Sequence, residues 1–319
     1  MSHALVTGGA GFVGSHLARH LSERGDRVTV LDDLSTGRRT NLDGVEARLV
    51  EGDARNVALV RELVEEADVV YHLASAVGVR LVVENPVETI ENSVGSASVV
   101  LRAAAERGVR FVLTSTSEVY GKRSQGPFLE TDDIRLGDPT RPRWAYACSK
   151  ALDEWLTMAW HREAALPVVV ARLFNTVGPG QLADYGMVLP RFVRAALRGE
   201  PLQVHGDGRQ TRTFTHVRDA AASLVALGDD RTIDGEIVNV GGWEEVSIAD
   251  LARRVVERCE SNSDLLLVPY AEAFDSSFED MQRRIPDVSK LERLTGERPR
   301  TTLDAILDDV IAWERVALS

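Results

Sequence analysis

A chain of 319 residues, 44% hydrophobic and 27% charged, is long enough for one large α/β domain or two intimate ones. Its formal charge of −12 argues against nonspecific attraction to nucleic acid or an anionic membrane, so an anionic ligand requires locally concentrated arginines. No apolar stretch approaches the ~20 residues that a membrane-spanning helix needs.

The apolar run 4–7 reads as a first strand, followed by a helix in which Val13, Leu17 and Leu21 recur every fourth residue and Gly25 marks the stop. Residues 27–32, 46–51, 68–73 and 110–114 continue the strand series, with helical patterns at 56–67 and 87–107 between the last of them. Strands alternating with helices of this length imply a parallel sheet covered by helices on both faces. A further long helical pattern covers 144–163. Near residue 174 the character changes: "FNTVGPGQLADYG" is rich in turn formers, and "GEPLQVHGDGRQTRTF" reads as a short strand with tight turns. Helices are expected at 217–227, 248–259 and 302–315, and a strand at 237–240 that returns to the main sheet. The expected division is a nucleotide-binding domain, 1–174 with 213–240, and a smaller domain from 175–212 and 241–319.

Two cysteines, Cys148 and Cys259, make neither a disulfide framework nor a metal cage, and they read as core filler in a reducing compartment. The opening "MSHALVTGG" lacks the charged and long apolar regions of a signal peptide, so a cytoplasmic location and no metal are expected. The histidines at 3, 16, 20, 72, 161 and 216 read as structural or exposed.

"VTGGAGFVGSHL" sets Gly8, Gly11 and Gly14 at the junction of the first strand and its helix. Glycines there permit a tight turn and close backbone approach to a pyrophosphate, and the helix N-terminus supplies unpaired N–H groups. The spacing is GxxGxxG, and Asp32 ends the second strand where a ribose-binding acid belongs. Together these imply an α/β fold with a Rossmann-type doubly wound parallel sheet. A carboxylate at Asp32 repels a 2′-phosphate, which favours NAD; Arg38 and Arg39 nearby read as solvated loop charges. Asp53 meets the adenine or caps the following helix, and both readings stand.

"WAYACSK" places Tyr146 and Lys150 on one helix face. Ionising a tyrosine at neutral pH costs about 4 kcal/mol. An ammonium ~5 Å away at an effective dielectric of about 20 offsets roughly 3 kcal/mol of that. Tyr146 is then able to take a proton from an alcohol as its hydride departs.

With "TGGAGFVGSHL", "STSEVYG", "YACSK", "ARLFNTVGPGQ", "GDGRQTRTFTHVRDAA" and "RRIPDVSKL", the chain resembles the extended short-chain dehydrogenase/reductases that modify nucleotide sugars, over nearly its full length. The resemblance implies a catalytic set of Thr116, Tyr146 and Lys150, with NAD recycled in each turnover. The expected cofactor shell is Gly8, Gly11, Phe12, Val13, Gly14, Asp32, Asp53, Ala54, Leu73, Ala74 and Asn92, with Tyr146 and Lys150. It also implies a homodimer through the helices at 87–107 and 144–163, whose apolar positions include Val94, Val99, Leu101, Leu152, Trp155 and Met158.

The dehydratases of this family carry Thr-Asp-Glu where this chain has Thr116, Ser117 and Glu118. The acid beside a leaving hydroxyl is absent while a carboxylate remains, a combination similar to the nucleotide-hexuronate decarboxylases, as are the "RPRWAYACSK" and "RRIPDVSKL" contexts. Taken alone, the tripeptide reads as a polar turn after a buried strand. The resemblance puts Arg212 on the pyrophosphate and Arg284 on the phosphates or the active centre. Asn175, Val188, Gln203 and His205 fall in segments that line the nucleotide and sugar, although His205 departs from the usual tyrosine. The expectation is NAD-dependent decarboxylation of UDP-glucuronate to UDP-xylose, UDP-4-keto-xylose or both. Its rivals are a UDP-sugar 4-epimerase, a 4,6-dehydratase and a noncatalytic NAD-sensing protein.

Overall fold

A computed structural model describes residues 1–75, 85–122, 126–141, 144–182, 187–273 and 281–318. Pro142 and Arg143 of "RPRWAYACSK" and residues 183–186 of "FNTVGPGQLADYG" lie outside them. The strand β1 (His3–Thr7) is buried at every position, as a continuous apolar run at the centre of a parallel sheet requires. It pairs with β2 (Arg27–Asp32), and β2 with β3 (Arg48–Glu51). On its other side follow β4 (Val69–His72), β5 (Arg110–Thr116) and β6 (Val168–Leu173). After the short strands β7 (Thr176–Val177), β8 (Leu202–His205), β9 (Thr211–Arg212) and β10 (Thr215–His216), β11 (Glu236–Val240) returns to pair with β6. Among the described residues the main sheet therefore has seven parallel strands in the order β11-β6-β5-β4-β1-β2-β3.

Helices cover both faces. On one, α1 (Phe12–Glu23) buries Leu17 and Leu21 completely against Val6 and Val30, each contributing about 1.5–3 kcal/mol. The other face is covered by α2 (Val57–Glu65), α3 (Pro86–Arg107) and α4 (Trp144–Ala164), with Val60, Val100 and Leu101 packed against Leu31 and Phe111. After α5 (Val188–Leu197), α6 (Val217–Asp229) lies beside α1 and adds Ala220 and Leu224 to its cluster. A separate core joins Phe192 of α5, Leu202 of β8, Leu251 of α7 (Ile248–Arg258) and Ile306 of the last helix. The remaining elements are β12 (Val246–Ser247), β13 (Leu265–Val268), α8 (Tyr270–Ala273), β14 (Arg283–Arg284), α9 (Ser289–Thr295) and that last helix, α10 (Leu303–Leu318).

Several elements go beyond the sequence expectation, β6 and α5 foremost. The run "VVVARL" of β6 is apolar almost throughout, so its periodicity distinguishes no strand from a buried helix. The helix α5, which follows the turn-rich stretch, is likewise absent from that expectation. Functionally, the decisive feature is the reversal of strand order at β1, where β2 leaves to one side and β4 joins on the other. A crevice opens at such a switch point, beyond the carboxyl ends of the strands.

Candidate active site

The crevice is a cleft of about 540 Å³. Its floor is the glycine turn. Gly8 has φ +71°, and a Cβ there would sit 2.7 Å from the Ala74 nitrogen; a Cβ on Gly14 would sit 2.2 Å from the Gly8 carbonyl oxygen. Gly11 precedes α1 with no side-chain cap, and the first turn of that helix has no acidic residue, so its amides and partial positive charge face the cleft as an anion site. Asp32 is buried at the end of β2, where its carboxylate accepts hydrogen bonds from the N–H groups of Ala10 and Leu34, both at 2.9 Å. Burial pushes its carboxyl above the ordinary value, while those N–H groups pull the other way.

Arg38 and Arg39 are exposed, and Arg39 pairs with Glu51. Asp53 lines the cleft and holds the Arg55 guanidinium at 2.6–3.0 Å, which lowers its carboxyl below the usual range. It is not the cap of α2: Asn56 takes that place, accepting from the Leu59 N–H. Phe12, Val13, Ala54, Leu73, Ala74 and Asn92 line the same cleft, and the Asn92 Oδ1 is buried without a partner.

At the far end β5 finishes at Thr116, whose hydroxyl accepts from the Glu118 N–H and caps a 3₁₀ turn, Ser117–Tyr120. Ser117 is buried at the cleft wall, and Glu118 forms an ion pair with Arg284 of β14. Arg284 also donates to Asn175 Oδ1, and its Nε is buried without a partner. Asn175 sits at φ +33°, in left-handed space that asparagine tolerates, with its Nδ2 donating to the Thr213 carbonyl at 2.7 Å.

Tyr146 and Lys150 both line the cleft from α4. The electrostatics differ from the simple ammonium–phenolate expectation. The Lys150 ammonium lies 3.0 Å from Asp153, with both side chains buried. Burial, then Glu118, then Asp153 raise the Tyr146 phenol, and a hydrogen bond with Thr116 opposes them. Beneath the 3₁₀ turn, Arg172 of β6 makes a bidentate pair with Glu154 of α4 at 2.9 and 2.7 Å, and Ser115 donates to the same carboxylate.

The structure does not bring every expected ligand to the described cleft. Val188, Gln203, His205 and Arg212 are not among its lining residues. His205 contacts Arg191 at 2.8 Å, Gln203 is exposed, and Val188 opens α5 beside the lining residue Met187. Arg212 is buried on β9, in register with Arg284 on β14, one strand from the cleft. Asp153 went unnoticed in the sequence, although a carboxylate three residues beyond a lysine on one helix was the available signal.

Residues 4–241 match the NAD dependent epimerase/dehydratase family. The chain belongs to that family. Its cofactor is NAD, which fits the glycine cradle, the uncapped α1 N-terminus and Asp32. The chain is 37% identical to a UDP-N-acetyl-alpha-D-glucosaminuronate decarboxylase of Bacillus cytotoxicus, over 98% of this chain and 97% of that protein. It is 39% identical to UDP-glucuronic acid decarboxylase 2 of Arabidopsis thaliana, over 94% of this chain and 65% of that longer relative. Among solved structures, a UDP-glucuronic acid 4-epimerase from Bacillus cereus, bound to UDP-glucuronic acid and NAD, superposes with a TM-score of 0.88. That match covers 99% of each chain at 27% identity.

Proposed function

We propose that the protein decarboxylates UDP-glucuronate through oxidation at C4 of the sugar. The observation that carries this reading is Arg284, which enters the cleft that Tyr146 also lines and is held there between Glu118 and Asn175, with a serine where water-expelling relatives place an acid. Bound NAD supplies the hydride acceptor for C4. Tyr146 accepts the C4 hydroxyl proton, with Thr116 hydrogen-bonded to the phenol. Once C4 is a ketone, the C5 carboxylate is β to a carbonyl: the C5–carboxylate bond breaks, its electron pair forms an enolate, and carbon dioxide leaves. Arg284 orients the incoming carboxylate, which competes with Glu118 for the guanidinium. Glu118 and Ser117 then serve proton delivery and orientation at C5.

Two variants separate these stages. Tyr146→Phe abolishes NADH formation and carbon dioxide release together, by ~10²–10⁴-fold. Glu118→Gln retains a transient NADH absorbance while product formation slows. Wild-type decarboxylation by Glu118→Gln would return the Thr-Ser-Glu stretch to a structural role.

A second substrate has specific support: the Bacillus cytotoxicus relative, matched over nearly its whole length, is named for the N-acetylated uronate. Comparing kcat/KM for the two sugar nucleotides decides between them. We assign NAD binding to 1–174 with 213–240, and nucleotide-sugar binding to 175–212 and 241–319. We further infer a homodimer. Val87 and Ile90 of α3 and Leu152 and Trp155 of α4 are exposed, Trp155 by 61%. Leu101, expected on that face, is instead buried in the sheet core. Among the described residues no helix is long and apolar enough to cross a membrane. A cytoplasmic location is proposed from the unpaired thiols of Cys148 and Cys259.

A further inference from the structure

Asp153 occupies α4 one turn beyond Lys150, and its side chain is completely buried. Its Oδ2 lies 3.0 Å from Lys150 Nζ and accepts a 2.9 Å hydrogen bond from Ser93 of α3. Its Oδ1 is buried with no partner. Such an arrangement is costly. Removing a carboxylate and an ammonium from water is offset by their attraction only when the remaining lone pairs are satisfied, and an apolar pair of similar volume is often as stable. Packing alone therefore gives no reason for an acid here.

The charged surroundings of Tyr146 point to one. The 3₁₀ turn contributes Glu118, paired with Arg284 of β14. From β4 comes His72, which burial and then Lys150 push down to about 3, so the ring is neutral near pH 7. The adjoining part of α3 brings the uncharged Asn92 and Ser93, with Glu88 at the cleft. The β6 cation, Arg172, is held by Glu154. On α4, Lys150 follows Tyr146 by four residues on the same helix face, both line the cleft, and Asp153 holds its ammonium.

We propose that Asp153 is a positioning residue that sets the basicity of Tyr146 through Lys150, fixing the ammonium in place and cancelling much of its charge. Asp153 itself raises the Tyr146 phenol, the direction expected where the field of the carboxylate opposes that of the ammonium it holds. The inference rests on Tyr146 being the proton acceptor of the proposed reaction, but its decisive test uses neither substrate nor turnover.

The chain has five tyrosines. Incorporating a fluorinated tyrosine, whose phenol is more acidic, brings their titrations into the range where the protein is folded, and loss of one ¹⁹F resonance in Tyr146→Phe assigns Tyr146. In Asp153→Asn the Tyr146 midpoint falls by on the order of one pH unit, a tenfold change in its acidity, while the other resonances stay in place. Ser93→Ala loosens the carboxylate but keeps its charge, and leaves the midpoint near wild type. An unchanged midpoint in folded Asp153→Asn overturns the proposal, as does an equal shift in Ser93→Ala.

Should Asp153→Asn not fold, Lys150→Met/Asp153→Leu removes both charges and strands neither. The midpoint then stays near wild type, because the two charges largely cancel at Tyr146, and a rise of about one pH unit overturns the proposal. In the holoenzyme the alkaline rise of kcat shifts down in Asp153→Asn along with the resonance. A resonance that moves while the kcat profile stays fixed supports the effect of Asp153 on Tyr146 and instead removes Tyr146 as the base of the reaction.

Discussion

Replacing Arg172 by methionine strands a carboxylate beneath the active site. Arg172 and Glu154 are 4% and 3% exposed at their side chains, and the pair is bidentate at 2.7 and 2.9 Å. The guanidinium also lies 4.6 Å from the Tyr120 ring, whose hydroxyl donates to Asn239 at 2.7 Å, so the pair supports the turn that carries Ser117 and Glu118. In Arg172→Met the Glu154 carboxylate keeps the Ser115 hydrogen bond but loses its counter-charge, and breaking a buried pair from one side costs about 3–5 kcal/mol. With a urea m-value of about 3 kcal/mol/M, the unfolding midpoint falls by about 1–1.7 M. Removing both charges in Arg172→Met/Glu154→Leu restores stability to within about 1 kcal/mol of wild type, because no ion is left unpaired. Equilibrium urea unfolding followed by fluorescence measures both. A loss below about 1 kcal/mol in the single variant is what an exposed pair gives, and would refute the burial argument.

Gly14→Ala puts a Cβ 2.2 Å from the Gly8 carbonyl oxygen, so the α1 N-terminus must shift; calorimetric NAD affinity falls at least about tenfold, and an unchanged affinity contradicts the cradle. His72 titrates at about 3 in the native protein against an ordinary 6.5, so below pH 6.5 the unfolded chain takes up a proton that the native chain refuses. Stability is therefore lost as pH falls from 6.5 toward 3, by up to about 1.4 kcal/mol per unit from this residue, and His72→Gln flattens that slope in urea titrations at stepped pH. Trp155→Asp, at a position 61% exposed on α4, converts the proposed dimer to a monomer by light scattering without loss of helix content; a wild-type mass at micromolar concentration contradicts the assigned face.

The sheet was legible where a strand had clear borders. Arg27–Asp32 agrees residue for residue, because Gly25 stops the helix before it and a polar loop follows Asp32. β6 was not, since an unbroken apolar run lacks the alternation that separates a strand from a buried helix. The site divides in the same way. Its glycine turn, Asp32, Tyr146 and Lys150 are short-range patterns and reach one cleft. The Glu118–Arg284 contact joins residues 166 positions apart, which no local spacing reveals. For Lys150 the sequence suggested a bare ammonium beside a phenol. Burial of α4 against α3 instead closes Asp153 onto it, so the local charge depends on tertiary packing.

The most direct measurement is the product mass after incubating the purified, NAD-loaded protein with UDP-glucuronate. The account predicts a sugar nucleotide lighter by one carbon dioxide, formed by the wild type and lost in Tyr146→Phe. A product of unchanged mass with inverted stereochemistry at C4 would contradict it and make the protein an epimerase.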